Sequence, residues 1–220
     1  MLSGAFNSIG VQLEPRVTGR LPADVAYRVV VPMREAPLAT ARIAPLEPAE
    51  WTPEVRAMLD PVNNGGRVIA LYRTFAQHPK FYPPRQLLSE HIRLHSTLSA
   101  HDRELLILRT GWLARAEYEW AQHIPTGRRA GLDGARIAAG PDAPGWDPFD
   151  VALMRAAEEL YRDAVVSDAT WRLLAARYNA SELMDVLITA GGYRMVSMSA
   201  NALGVQLEPG AERFPAAAAR

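Results

Sequence analysis

The stretch Arg103-Glu104-Leu105-Leu106-Ile107-Leu108-Arg109-Thr110-Gly111-Trp112-Leu113-Ala114-Arg115-Ala116-Glu117-Tyr118-Glu119-Trp120-Ala121-Gln122-His123 carries three proton-transfer groups in a chain that contains no cysteine. Its apolar spacing predicts a helix over 100–115 followed closely by another over 117–130, an antiparallel hairpin. Glu119 and His123 are four residues apart, so on a helix both emerge from one face within reach of each other or of a common ligand. A carboxylate beside an imidazole raises the imidazole pKa and burial lowers it, so such a histidine titrates near neutrality and suits a general acid or base.

Working outward, helix starts punctuate the chain from about residue 50. Thr52-Pro53 and Asp147-Pro148 each offer an N-cap followed by proline at the first helical position. Ser99 with Asp102, and Asn179 with Glu182, resemble capping boxes, and Gly131 before Asp133 reads as a stop followed by a new cap. Helices are expected near 53–60, 67–78, 84–97, 100–115, 117–130, 133–139, 148–164, 168–178 and 181–203, joined by short connections. The fold class is all-α.

The first 41 residues differ, with prolines at 15, 22, 32 and 37, and read as an extended arm. Within it, Asn7-Ser-Ile-Gly-Val-Gln-Leu-Glu-Pro15 matches Asn201-Ala-Leu-Gly-Val-Gln-Leu-Glu-Pro209 at seven of nine positions. A duplication remnant is one reading, and an arm that docks where the terminal segment docks is the other. The expected organisation is an arm over 1–41, a helical domain over 42–210 and a tail over 211–220.

The 24 basic and 24 acidic residues cancel, so no bulk field favours nucleic acid or an anionic membrane. The start has no basic n-region, and no uncharged stretch reaches the roughly 18 residues of a membrane span. A cytoplasmic protein is expected.

From Glu104 through Ala116-Glu117-Tyr118-Glu119 to His123, the chain resembles the carboxymuconolactone decarboxylase and AhpD-like alkylhydroperoxidase family. The resemblance runs over about residues 43 to 209, including Ile43-Ala-Pro-Leu-Glu-Pro-Ala-Glu-Trp51. Matched to the family pattern, Glu104 stands at the relay glutamate and His123 at the histidine, while Ala116 and Glu119 stand where the peroxidase branch has its two cysteines. Thiol peroxidase chemistry requires a thiolate, which this chain cannot supply. The resemblance therefore implies the cysteine-free branch: an AhpD-like helical bundle, a homo-oligomer (trimer or hexamer), and a cofactor-independent lyase of aromatic compound catabolism. Such a lyase would decarboxylate a small carboxylated lactone or unsaturated acid. His123, Glu119 and Glu104 would be catalytic, with no cofactor and no metal. Alternatives are another proton-transfer reaction (isomerase, hydrolase or cyclase) or a non-catalytic binding or scaffold protein.

A carboxylated substrate calls for a cation, and arginine's planar fork pairs with carboxylate. Arg109 and Arg85 lead the candidates, ahead of Arg115 and Arg93. Tyr118 and Trp120 offer ring surface for substrate, although aromatic residues at helical spacing are more often core. Trp112 is expected in the core, and Glu117 at the helix start, where its charge meets the dipole. His91 and His95, at i and i+4, could hold a metal only if further ligands converged; surface or subunit-contact roles fit them better. Gly191-Gly192 interrupts the terminal helix at about 1 kcal/mol per glycine, which close packing or a subunit contact would offset.

Overall fold

The computed structural model describes residues 38–215. Nearly all of the expected arm, including the repeat copy at 7–15, lies outside the described residues. Among them there are nine α-helices and no strand, as the sequence leads one to expect. In chain order they are α1 (Pro53–Leu59), α2 (Ala70–Phe75), α3 (Tyr82–Glu90), α4 (Ala100–Leu113), α5 (Glu117–Arg129), α6 (Gly134–Ala139), α7 (Pro148–Asp163), α8 (Asp168–Ala175) and α9 (Ala180–Leu203).

The caps form where the sequence supplies their oxygens. Thr52 Oγ1 accepts from the Val55 amide at 3.2 Å and an Asp147 carboxylate oxygen from the Phe149 amide at 2.8 Å. Asn179 and Glu182 make the reciprocal box, with bonds of 3.2 and 2.8 Å. At Ser99 the box is one-sided: its hydroxyl accepts from the Asp102 amide at 3.1 Å, but the Asp102 carboxylate takes the Tyr178 hydroxyl at 2.6 Å instead.

Helix α4 is buried on nearly every side from Glu104 to Gly111, which marks a helix enclosed by others. It packs on α5, α7 and α9. Leu105, Leu106 and Leu108 enter one apolar cluster, with Trp120, Ile124 and the inner face of α7. Ile107 enters a second, with Leu71, Phe75, Tyr82 and Tyr193. Each leucine so enclosed contributes about 1.5–3 kcal/mol. Helix α9, 24 residues long and therefore about 36 Å, runs past both clusters.

The α4–α5 turn is tight. Arg115 takes the left-handed conformation (φ 51°) usually left to glycine, and the Ala116 amide bonds back to the Gly111 carbonyl at 2.9 Å. Asn201 of α9 secures the turn by donating to the Ala114 carbonyl at 2.8 Å. The hairpin is thereby pinned to the terminal helix, which brings a third element to the site.

Candidate functional site

The hairpin delivers Glu104 from α4 and His123 from α5 to one another. Glu104 Oε2 lies 2.9 Å from His123 Nδ1, and Glu104 is only 2% exposed. A carboxylate there accepts Nδ1–H and so fixes the tautomer, leaving Nε2 available to other groups. Nε2 lies 2.9 Å from the hydroxyl of Tyr193 on α9, and the two rings meet edge-on at 4.9 Å. Burial first, and then the nearby Glu119 and Glu104 carboxyls, push the Tyr193 phenol well above its ordinary range. The hydroxyl therefore stays protonated. The result is a continuous chain, Glu104–His123–Tyr193.

His123 and Tyr193 both line a cavity of about 270 Å³. Glu119 opens onto the same cavity, but its hydrogen-bonding relation differs from the sequence expectation: the bonded partner of His123 is Glu104. Glu119 is 3% exposed, and its Oε1 is buried with no hydrogen-bond partner among the described residues. Burial raises its carboxyl pKa against the lowering pull of His123 and Arg85, which favours the neutral acid.

Two cations face these groups across the cavity, Arg85 and Arg93. The Arg85 guanidinium lies over the Phe75 and Tyr72 rings at 4.9 and 5.3 Å and donates to Gln86 at 3.2 Å. Arg93 donates to the Tyr72 hydroxyl at 2.8 Å. No carboxylate of the described residues lies within ion-pair distance of either. Arg93 and Ile92 are aimed by a π-helical turn, His91–His95, that continues α3; such turns recur at functional sites. The opposite wall comes close at Gly192, where a Cβ would stand 2.7 Å from Ile92 Cδ1.

Other candidates sit elsewhere. Arg109 does not reach the cavity: it is held by Glu158, the Ile137 carbonyl (2.7 Å) and the Ala138 carbonyl (3.2 Å), an internal brace between α4, α6 and α7. Tyr118 is also outside the lining, its hydroxyl accepting from the Leu71 amide at 3.1 Å and donating to Glu208 at 2.8 Å. Trp120 is core, meeting Phe214 edge-on at 5.4 Å and Trp112 at a tilt at 5.7 Å, and it does not line the cavity. Glu117, at the start of α5, receives Arg213 and the Phe214 amide.

His91 pairs with Asp185 at 2.8 Å and the exposed His95 only loosely with Glu90 at 3.7 Å, so the two do not converge. The His101, Asp102 and Asp150 group has donor atoms within 4.8 Å of one another. Its imidazole is committed on both sides, with Nδ1 3.0 Å from the Ala130 carbonyl and Nε2 3.0 Å from Asp150. Desolvation lowers the His101 pKa, but those acceptors outweigh it and the net shift is upward. A metal needs a nitrogen lone pair, whereas two acceptors favour two N–H donors, so the group reads as an ion-pair clamp between α4 and α7.

Sequence reasoning did not single out Tyr193 as a site residue and placed Arg93 behind Arg109 and Arg85; both Tyr193 and Arg93 line the cavity. Tyrosine in the middle of an apolar helix was the available signal, since a buried hydroxyl seeks a partner. That the partner would be His123, 70 residues earlier, is a property of the fold.

The carboxymuconolactone decarboxylase family model matches residues 79–161, which include Glu104, Glu119 and His123 and exclude Tyr193. Among the solved structures similar to this chain are three described below. An alkylhydroperoxidase AhpD core, an uncharacterized peroxidase-related protein from Ralstonia eutropha JMP134, is 16% identical, with a TM-score of 0.65 over 76% of this chain and 93% of its own. An uncharacterized peroxidase-related protein from Silicibacter sp. TM1040 is 16% identical, with a TM-score of 0.64 over 83% and 96%. A variant of the debrominase Bmp8 in complex with 2,3,4-tribromopyrrole is 14% identical, with a TM-score of 0.64 over 78% and 94%. At these identities the likeness is one of fold, and the all-α AhpD-like architecture is common to all. No curated protein matches the chain.

Proposed function

With a carboxymuconolactone decarboxylase family segment at residues 79–161 as premise, we propose that the chain is a cofactor-independent carboxy-lyase acting by proton transfer on a small carboxylated lactone or unsaturated acid. The observation that carries this reading is the Glu104–His123–Tyr193 chain opening onto a cavity that also holds two arginines that make no ion pair among the described residues. A cavity of about 270 Å³ sits near the lower end of ligand pockets and suits a small substrate.

Arg85 and Arg93 hold a spectator carboxylate, fixing the substrate against the relay. The reacting carboxylate lies toward the apolar wall of Leu71, Ile92 and Val196, where loss of water favours neutral carbon dioxide over the anion. The bond from carbon to that carboxyl breaks, carbon dioxide leaves, and the electron pair delocalises into the conjugated system. The carbon then takes the proton of the Tyr193 hydroxyl, which His123 Nε2–H replaces in the same step. During this step Nδ1–H keeps donating to Glu104, which stabilises the charged ring before transfer. Tyr193 accepts from Nε2–H when the ring is charged and donates to Nε2 when it is neutral, so the ring stays aligned in both states. One C–C bond breaks, one C–H bond forms, and one proton returns from solvent.

The test is carbon-dioxide release and ultraviolet absorbance over a panel of carboxylated lactones. His123→Ala and Glu104→Gln should each lower turnover by about 10²–10⁴-fold, the usual worth of general acid–base catalysis, with helicity unchanged by circular dichroism. Wild-type inactivity across the panel, or full turnover by His123→Ala, would sink the proposal. The buried Glu119 carboxyl facing the same cavity, its pKa raised by burial, favours one second reading, isomerisation by reversible proton transfer. Its signature is solvent deuterium entering the substrate without carbon-dioxide release.

A further inference from the structure

Helix α9 contains three charged residues, Glu182, Asp185 and Arg194. Glu182 completes the capping box at the helix start, and Arg194 lies over the Tyr161 ring at 4.7 Å. Asp185 is the only one of the three that is buried. A carboxylate so placed is costly unless donors reach its oxygens. Both oxygens are supplied, and from opposite ends of the π-helical turn. Oδ1 lies 2.8 Å from Nε2 of His91, the first residue of the turn. Oδ2 accepts the Thr97 amide at 2.6 Å and the Thr97 hydroxyl at 2.8 Å, with the Ser96 hydroxyl farther off at 3.4 Å, just past the last residue of the turn, His95. Burial pushes the Asp185 pKa up, but the bonds from Thr97 and His91 outweigh it and the net shift is downward. The group is therefore a carboxylate at neutral pH.

One buried charge thus brackets five residues that no regular helix follows until α4. An i→i+5 turn is a single, weakly bonded unit, so a tie from outside supplies the order that length gives an α-helix. The turn in question forms one wall of the cavity, through Ile92 and Arg93. Two turns along α9 from Asp185, on the same face, Gly192 receives Ile92 so closely that a Cβ would stand 2.7 Å from its Cδ1. The next residue is Tyr193, bonded to His123. Helix α9 therefore holds the turn at two points and the relay at a third, and the place of Arg93 relative to His123 is set along one helix.

We propose that Asp185 is a positioning residue for substrate binding: it fixes the π-helical turn and, through the turn, the Arg93 guanidinium against the relay. It does not line the cavity and so acts only through the residues it holds. This role rests on Arg93 holding a substrate carboxylate, as proposed above. Without the tie Arg93 keeps its charge and loses its fixed direction, so the preference for a carboxylate ligand is lost while the Glu104–His123–Tyr193 chain stays in place.

Calorimetry with 2-furoate, a small ring bearing one carboxylate, and with its uncharged amide, 2-furamide, reads this preference without any turnover. The wild type should hold furoate about tenfold more tightly than furamide, the worth of hydrogen bonds to a charged group. Asp185→Ala should remove most of that preference and His91→Ala part of it, with furamide binding unchanged in both. His91→Gln, which returns a donor at the place of Nε2, should restore it. In an Arg93→Gln background the preference is lower from the start, and Asp185→Ala should lower it no further. Without ligand, amide hydrogen exchange across residues 91–97 should quicken about tenfold in Asp185→Ala while α4 and α5 stay protected. Unchanged exchange over 91–97, or a furoate loss of equal size with Arg93 present and absent, overturns the proposal. A wild type that binds furoate no better than furamide counts against carboxylate binding in the cavity, and the exchange then decides on the anchor by itself. Should Asp185→Ala fail to fold, His91→Ala and His91→Gln decide, since Asp185 keeps its Thr97 bonds in both.

Discussion

Glu119 is a carboxyl for which the described residues provide enclosure but no donor to Oε1, and its raised pKa has a consequence for stability. Below the unfolded value near 4.5 both states bind the proton and the group does no harm. As pH rises through that value and on through the higher folded one, the unfolded chain releases the proton more readily, so stability falls. Glu119→Gln, which keeps the shape without the charge, should therefore be more stable than wild type at pH 7, by about 1–2 kcal/mol. That corresponds to a Tm about 2–8 °C higher, and the gain should vanish near pH 4. Thermal melts of both proteins from pH 4 to 8 check this; a gain that is constant with pH, or a less stable glutamine variant, would be the contrary result. The sequence makes Glu104 and His123 visible because one hairpin carries both. It does not say on which side of α5 the neighbouring rings fall. Tyr118 and Trp120 are adjacent in sequence to the site and yet point into two different clusters, while Arg109 is claimed by Glu158.

At the scale of elements, the helices were legible because their starts are chemically marked. Asp133, like Thr52 and Asn179, caps the helix that follows it. What escaped is local backbone detail. The expected helix over 67–78 is only α2, Ala70–Phe75, because Asn64 and Arg67 pair across a Gly65-Gly66 turn before it. The expected 84–97 helix becomes α3 plus a π-helical turn, a change of hydrogen-bond register that leaves no mark in the apolar pattern. Between elements, His101 joins α4 to Asp150 of α7. Its folded pKa is raised, so the clamp contributes fully below the unfolded value near 6.5 and is lost as pH rises through the folded value. The ring is about one-third exposed, and solvent screening holds the effect to about 1 kcal/mol or less. His101→Gln should thus cost stability at pH 5.5 and cost progressively less above pH 6.5. Chemical denaturation at a series of pH values would reveal the convergence, and parallel curves would rule the clamp out.

Across the whole molecule, the segment after α9 ties the ends of the domain together. Glu208 accepts from the Ala70 amide at 2.9 Å, the Tyr118 hydroxyl at 2.8 Å and Gln122 Nε2 at 2.6 Å. It thereby joins α2, α5 and the terminal segment across sequence separations of 86 to 138 residues. Gly204, left-handed at φ 68°, makes the turn that points this segment back, and a Cβ there would meet the Thr40 carbonyl at 2.7 Å. Gly204 and Glu208 both fall within the repeat noticed in the sequence, at positions identical in its two copies. Gln122 also lines the cavity, so the segment supports the wall that carries His123. Glu208→Ala would leave three donors without their acceptor, at about 1–3 kcal/mol for each that water cannot reach. A total loss of about 3–5 kcal/mol, and a Tm lower by about 6–20 °C, is expected. Arg213→Ala supplies the comparison, since Arg213 pairs with Glu117 from an exposed position, and exposed pairs contribute about 0–1 kcal/mol. If the two variants melted together, closure of the domain would have to come from the apolar contacts of Val205 and Leu207 rather than from Glu208.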